Sequence, residues 1–465
     1  MAGMTKPIAF KQQAETRSAV ERIGAFAAAA RPEHLTTDIR QLFKRNILDS
    51  IGCAIAAVAG PSLRWLRDQF EEYRAPGRCT LIGGGKTSPD QAASWNQNRL
   101  TAKLGIEYPI IQGPLGGLSS QKLAAEVSKC GGLGSFGAHS LPPDAIKDVI
   151  AEIRSLTSKP FAMNLWVSME DEGARTSDES AFNRSLAPLA GHLAELGAPR
   201  PIYKSYSPIR FEDQARVLLD SKVPVFSFIF GIPPRDILEE CRAKKIFTIG
   251  TATTPEEAAA LRDAGVDALA ASGFEAGGHR GSFLRAADDS LTGTLSLVPQ
   301  IVDIVDVPVI AAGGIGDARG LIAALALGAE GVQMGTVFLS CEESGASRLH
   351  RIALLRKNAG HTGLTKGFTG RLSRGIHNRL MEELNRKGVE ILPYPLQRGL
   401  VRNLSIAAEA AGQSDLMPLW AGQSANLSVC TNVPSFLNAL IAEISEIAGP
   451  VVKWSASRRQ KHSNA

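Results

Sequence analysis

From Leu104 to Met334 the chain alternates short apolar runs with amphipathic stretches, and this alternation restricts the fold more than any other feature. Runs such as Tyr108–Gln112, Gly131–Ala138, Phe161–Val167, Val223–Phe230, Ile246–Thr251, Ala268–Ser272, Val307–Ala312 and Gly331–Met334 are strand-like, and several are apolar almost throughout. Strands of that kind are buried on both faces, as in a parallel sheet covered by helices. Between the runs lie segments with helical patterning: Ser120–Lys129, Pro142–Leu156, Leu186–Leu196, Pro234–Lys244, Pro255–Ala264, Leu297–Val305 and Ala318–Leu327. About eight strand–helix units over roughly 240 residues predict an α/β fold, a (β/α)8 TIM barrel, and not an open doubly wound sheet.

The flanks differ in character. Thr36–Val58 and Ser62–Tyr73 carry helical patterning ended by Gly60-Pro61 and by a polar loop. We therefore expect a small, mainly helical N-terminal segment over 1–98, the barrel with a C-terminal helical extension over 99–452, and a basic tail over 453–465. Arg458, Arg459 and Lys461 lie in that tail, so a formal charge of +5 over 465 residues leaves little basic excess for a nucleic-acid face. The longest apolar run, Ile51–Gly60, is about half of what a bilayer crossing needs. The six cysteines are scattered singly, without C-x-x-C pairs, which predicts a cytoplasmic protein with neither a disulfide framework nor a zinc site.

Two glycine motifs invite nucleotide readings that their context refuses. Gly83-Gly-Gly-Lys-Thr has Thr80 where a P-loop needs its first glycine, and Pro89 where a helix should begin. Gly132-Leu-Gly-Ser-Phe-Gly matches G-x-G-x-x-G but follows a helix and forms a strand. The strand ends are more informative, because in a barrel they converge on one mouth. They carry Gln112-Gly113-Pro114, Asn164, Thr251, Ser272–Arg280, Gly313-Gly314-Ile315 and Gln333-Met334-Gly335-Thr336. The last two follow the final strands, where barrels commonly bind phosphate through backbone N–H groups. Ser272–Ser282 holds four glycines around Glu275, His279 and Arg280, which makes His279 a candidate proton-transfer group on a tight loop.

Taken together, Ile110-Ile-Gln-Gly-Pro, Asn164-Leu, Thr251-Ala-Thr-Thr, Glu275-Ala-Gly-Gly-His-Arg-Gly, Ala311-Ala-Gly-Gly-Ile, Gln333-Met-Gly-Thr, Phe368-Thr-Gly-Arg-Leu-Ser-Arg-Gly and Trp420-Ala-Gly-Gln resemble the nitronate monooxygenase family over about 104–447. The resemblance implies an FMN-dependent barrel that oxidises alkyl nitronates, and in some members nitroalkanes, with O2 to a carbonyl compound and nitrite. It implies that Gly314 and Gln333, Met334, Gly335 and Thr336 hold the FMN phosphate and ribityl chain. Asn164 and Gly277 would lie near the flavin, and Gly113 would let the first strand approach it. Pro114, Ser272, Gly278 and Gly313 complete the expected cofactor set, and His279 matches the family's base. Ser272 stands where many relatives carry Gln. No metal is expected. Separately, Ile47-Leu-Asp-Ser-Ile-Gly-Cys-Ala-Ile-Ala-Ala and Thr80-Leu-Ile-Gly-Gly-Gly-Lys-Thr-Ser-Pro-Asp-Gln-Ala-Ala-Ser-Trp-Asn resemble the N-terminal part of the 2-methylcitrate dehydratase-like family over about 20–96, broken off before that family's acid/base residues. That segment is read as a non-catalytic packing or oligomerisation appendage, which makes a homo-oligomer compatible with the sequence.

Two other functions remain open at this level: a flavin-dependent enoyl-acyl-carrier-protein reductase using NAD(P)H, which shares the Glu-Ala-Gly-Gly-His signature, and a non-catalytic flavoprotein fusion. Glu275 is read as a loop-structuring acceptor and Arg280 as locally paired. His139 is taken as a turn residue, with a place at the mouth as the other reading. His350, His361 and His377 are taken as solvated within a basic helical region, and Tyr394 and Trp420 as core or pocket wall.

Overall fold

We describe residues 95–204, 209–427 and 431–448 of a computed structural model. The expectations for the N-terminal helices and the basic tail fall outside these residues. Eight parallel strands make the central sheet: β1 (Ile110–Gln112), β2 (Gly134–Gly137), β3 (Phe161–Trp166), β4 (Val225–Ile229), β5 (Phe247–Ala252), β6 (Ala268–Ser272), β8 (Val309–Ala312) and β9 (Gly331–Met334). They run in the order β1-β9-β8-β6-β5-β4-β3-β2, and a parallel bridge from Ile111 to Leu133 joins the two ends into a barrel.

Strand side chains alternate between the barrel interior and the helix layer. Ile111, Leu133, Ala162, Val225, Ile249, Ala268, Ala270 and Ile310 fill the interior. Their neighbours Ile110, Met163, Phe226, Phe228, Leu269, Ala311 and Val332 pack outward against the helices. The helix Arg99–Leu104 plugs the N-terminal end of the barrel with Leu100 and Leu104, beneath the interior residues. Asn98 and Thr101 form its capping box, and Arg99 pairs with the buried Glu330 at 2.5 Å. With that end closed, polar residues inside the barrel gather at the other. Asn164, Ser227, Thr251, Ser272 and Gln333 hold the inward register positions near the strands' C-terminal ends.

A second, antiparallel sheet combines β10 (Thr362–Thr365), β11 (Ser373–Ile376) and β7 (Gly278–His279). This corrects the expectation of a helical region around His361 and His377: they flank a hairpin. Other departures have local causes. The expected helix Leu186–Leu196 is two short helices, Glu179–Leu186 and Ala190–Glu195, joined by a 3-10 turn. Pro188 lacks the N–H that would continue the ladder. Helix Phe211–Asp220 was not anticipated. The helix expected at Leu297 starts at Thr294, whose N–H is held by the Glu275 carboxylate. Cys341 is disulfide-bonded, with a partner outside the described residues, whereas Cys130 and Cys241 are free thiols. No described helix is long and apolar enough to cross a membrane.

Candidate active site

His279 sits on β7, where pairing with Ser373 of β11 fixes its backbone over the barrel mouth. Gly278 before it has φ +77°, a left-handed conformation that glycine adopts without strain. The imidazole Nε2 lies 2.8 Å from Thr369 Oγ1, so one ring nitrogen is engaged. When Thr369 accepts from Nε2–H, the lone pair is on Nδ1. Four aromatic rings surround the imidazole: Trp166 edge-on at 4.9 Å, Trp420 at 5.1 Å, Tyr394 at 6.3 Å and Phe230 at 6.4 Å. Tyr394 and Trp420 are therefore walls of this box. Burial, with the nearby Arg371 and Arg398 guanidiniums, brings the His279 pKa down from 6.5 to about 3. At neutral pH the ring is uncharged, and with the proton on Nε2 the Nδ1 lone pair is open.

Arg371 closes one side of the box. Its Nε donates to Asp171 Oδ1 at 2.7 Å, and its Nη atoms donate to Ser168. The guanidinium stacks over Phe230 at 4.2 Å and Tyr394 at 4.6 Å. A cavity of about 390 Å³ shares Phe230 and Arg371 with the box, and Ser168, Asp171, Lys366 and Leu372 also line it. His139 is buried at the end of β2 and stacks on Trp166 with centroids 3.8 Å apart and planes within 4°. His139 lies in a turn, closed by Leu141 N–H donating to the Ala138 carbonyl, and its ring also faces the aromatic wall through Trp166.

The loop bearing His279 is held by buried polar groups. The Glu275 carboxylate accepts from Thr294 N and Oγ1, as expected of a loop-structuring acceptor. Arg280 donates to the carbonyls of Ser290, Ser272 and Thr253, and burial lowers its pKa to about 10. Glu257 accepts from Thr253 and from the N–H groups of Phe283 and Leu284. Gly277 packs so tightly that a Cβ there would lie 2.5 Å from Gly422 N. Gly422 N–H in turn donates to Thr336 Oγ1 at 2.9 Å, which ties the His279 loop to the end of β9.

At the ends of β8 and β9 the glycines turn the backbone sharply. Gly313 and Gly314 have φ +103° and +71°. Among the described residues, the N–H groups of Gly314, Gly335 and Thr336 meet no acceptor. Unengaged backbone donors beside a helix start suit a phosphate. Gly113 packs against Gly335, where a Cβ would sit 3.2 Å from its Cα, and the Pro114 carbonyl accepts from Ser119. Asn164 is buried and donates to Ser227 Oγ at 3.0 Å. Ser272 is half-buried at the inner end of β6. Met334 is placed differently from the rest: its side chain belongs to the outer core, which leaves only its backbone at the mouth.

Thr369 was quoted in a motif but given no role, because its contact with His279 crosses 90 positions of sequence. His350 is a correction: it is buried, with Nε2 2.9 Å from the Trp420 carbonyl, and burial lowers its pKa to about 4. Its helix Arg348–Leu354 packs that face inward. His361 and His377 are exposed and stack on each other at 4.8 Å, away from the box. No cluster of metal-ligating side chains occurs among the described residues.

The family model described as nitronate monooxygenase matches residues 97–445, and that of the MmgE/PrpD N-terminal domain matches residues 21–97. Proteins described as probable nitronate monooxygenase are 42% identical in Staphylococcus aureus strain Newman and 43% in strain JH9; each match spans 356 residues, 76% of this chain and 99% of the relative. Among solved structures, nitroalkane oxidase from Streptomyces ansochromogenes is 36% identical with a TM-score of 0.67, covering 75% of this chain and 98% of its own. FabK from Thermotoga maritima is 28% identical with a TM-score of 0.59, covering 76% and 97%.

Proposed function

This chain belongs to the nitronate monooxygenase family, and we propose that it is an FMN enzyme that oxidises alkyl nitronates, and nitroalkanes after deprotonation, with O2 to a carbonyl compound and nitrite. The observation that carries this reading is the His279 imidazole, neutral and aromatic-walled, with one nitrogen on Thr369 and the other free. FMN when bound supplies the electron chemistry, while the protein supplies binding, orientation and the base. The donors of Gly314, Gly335 and Thr336 would hold its phosphate, with Gly113, Pro114, Asn164, Ser272, Gly277, Gly278, Gly313, Gln333 and the Met334 backbone lining the rest of its site.

His279 would take the α-proton of a neutral nitroalkane. Its low basicity comes from burial and from the Arg371 and Arg398 guanidiniums, and a negative charge formed beside the ring would oppose both. Proton transfer creates that charge, because the C–H electron pair moves into the C=N bond and the nitro oxygens become anionic. Thr369 would hold the ring through the transfer, and the aromatic walls would exclude water. The test is His279→Asn assayed by oxygen consumption and nitrite release. Turnover of nitroalkanes should fall by roughly 100-fold or more, with preformed nitronates still oxidised. Equal loss on both substrates would remove the base assignment.

FabK's likeness supports a second reading, reduction of an enoyl thioester with NAD(P)H; assays with an enoyl thioester and with a nitronate separate the two. We also assign the protein to the cytoplasm, a reading in keeping with the free thiols of Cys130 and Cys241 but not with the bonded Cys341, and cell fractionation tests it.

A further inference from the structure

Two guanidiniums near the aromatic box of His279 are treated very differently. Arg371 is neutralised by Asp171 and anchored on Ser168. Arg398 is half-buried on the helix Leu396–Ala410 and has neither an ion pair nor a hydrogen bond with any described residue. Its Nη2 lies 3.8 Å from where a Cβ on Gly117 would project. The neighbouring Gly116 abuts the ring of His139, so Arg398 and His139 flank one two-glycine turn beyond β1. The field of Arg398 also reaches both imidazoles, adding to burial in disfavouring their protonation.

His139 adds a second unmet group. Its side chain is 1% exposed, and its Nδ1 is sealed from solvent without a partner. Nε2 also lacks a protein partner, but it is not sealed in that way. A buried N–H without an acceptor is more rarely tolerated than an unmet acceptor, which favours the tautomer with the proton on Nε2. A neutral imidazole then offers a donor beside an unpaired cation. Among the described residues the mouth thus holds one uncompensated positive charge and one unused donor, and this combination calls for an anion.

We propose that Arg398 and the Nε2–H of His139 form the anion-receiving wall of the site, holding the nitro or nitronate oxygens while His279 serves the carbon. The assignment rests on the nitronate reading above and identifies how the site would recognise its substrate. As the proton leaves carbon for His279, negative charge accumulates on the oxygens held by Arg398. The wall therefore favours the deprotonated substrate over the neutral one.

The test uses flavin-loaded full-length protein and nitrate, a planar unreactive anion of the shape of the nitro group, titrated by calorimetry. Nitrate should bind the unmodified protein, and Arg398→Met should weaken it by about 10- to 100-fold, the range for a hydrogen bond to a charged group. Arg398→Lys should recover part of that loss, and His139→Phe, which keeps the stack on Trp166 without the donor, should weaken binding by about 5-fold. In turnover, Arg398→Met should raise KM for a nitronate more than KM for the parent nitroalkane. Nitrate binding that is absent from the unmodified protein, or unchanged in a folded Arg398→Met, overturns the assignment. Should Arg398→Met fail to fold by circular dichroism, unchanged nitrate binding in both Arg398→Lys and His139→Phe overturns it equally. A protein that binds nitrate through Arg398 yet oxidises no nitronate keeps the wall and loses the functional reading.

Discussion

At His279 the nearest polar neighbour is a hydroxyl, where many histidine bases are oriented by a carboxylate. Thr369 Oγ1 also lies 3.4 Å from the Arg371 N–H, which helps fix the hydroxyl. A hydroxyl orients the imidazole without stabilising its cation, consistent with a base that must share charge with its substrate. Thr369→Val should keep the fold and free the ring. We expect kcat on a neutral nitroalkane to fall about tenfold, the worth of ~1.4 kcal/mol of lost positioning, with little change on a preformed nitronate. Steady-state kinetics on the two substrates reads the difference. His279 could be picked out from its own segment, because four glycines around charged groups are an unusual composition for a surface turn. Thr369 and Arg398 could not, and His139 carried a place at the mouth only as its second reading. Each is ordinary in its local sequence, and each gains its meaning from a contact made across a long stretch of chain.

At the scale of elements, the barrel strands were legible because burial on both faces leaves an apolar run, and six of the seven helices expected between them hold as single helices. β7 was not, since Gly278-His279 has no apolar pattern and becomes a strand only by pairing with Ser373 and Arg374. The helix Phe211–Asp220 did carry a pattern, with Phe211, Ala215, Leu218 and Leu219 on its buried face. The β7 loop also depends on close backbone approach. A methyl at Gly277 would collide with Gly422 N at 2.5 Å and Ala421 C at 2.6 Å, neither of which can rotate aside. Gly277→Ala should therefore destabilise the protein by about 1–3 kcal/mol. It should also separate Gly422 from Thr336, so that flavin is retained less well. Denaturant titration and flavin release on gel filtration would report the two effects, and an unchanged midpoint would show that the Ala421–Gly422 segment yields.

At the scale of the whole molecule, three histidines among the described residues share one electrostatic property. His139, His279 and His350 are all held neutral chiefly by burial, with pKa values well below 6.5, near 3 and near 4. An unfolded chain protonates each of them near 6.5, so below that pH the unfolded state binds more protons than the native one. Stability contributed by the neutral rings is complete above about pH 6.5 and is lost as pH falls towards the folded values. Each ring adds a slope of up to ~1.4 kcal/mol per pH unit in that window. Carboxylates titrate mostly below pH 5, so the interval from 6.5 to 5 reports mainly on histidine. His350 isolates the effect, because its ring touches the Trp420 carbonyl and lies outside the aromatic box. His350→Gln keeps a donor for that carbonyl and removes the titrating group. Melting temperatures should fall between pH 7.5 and pH 5 in both proteins, by less in the variant, with the remaining slope belonging to His139 and His279. An identical fall in both would mean that His350 is protonated in the folded protein, and that water reaches the face of the Arg348–Leu354 helix where it is buried.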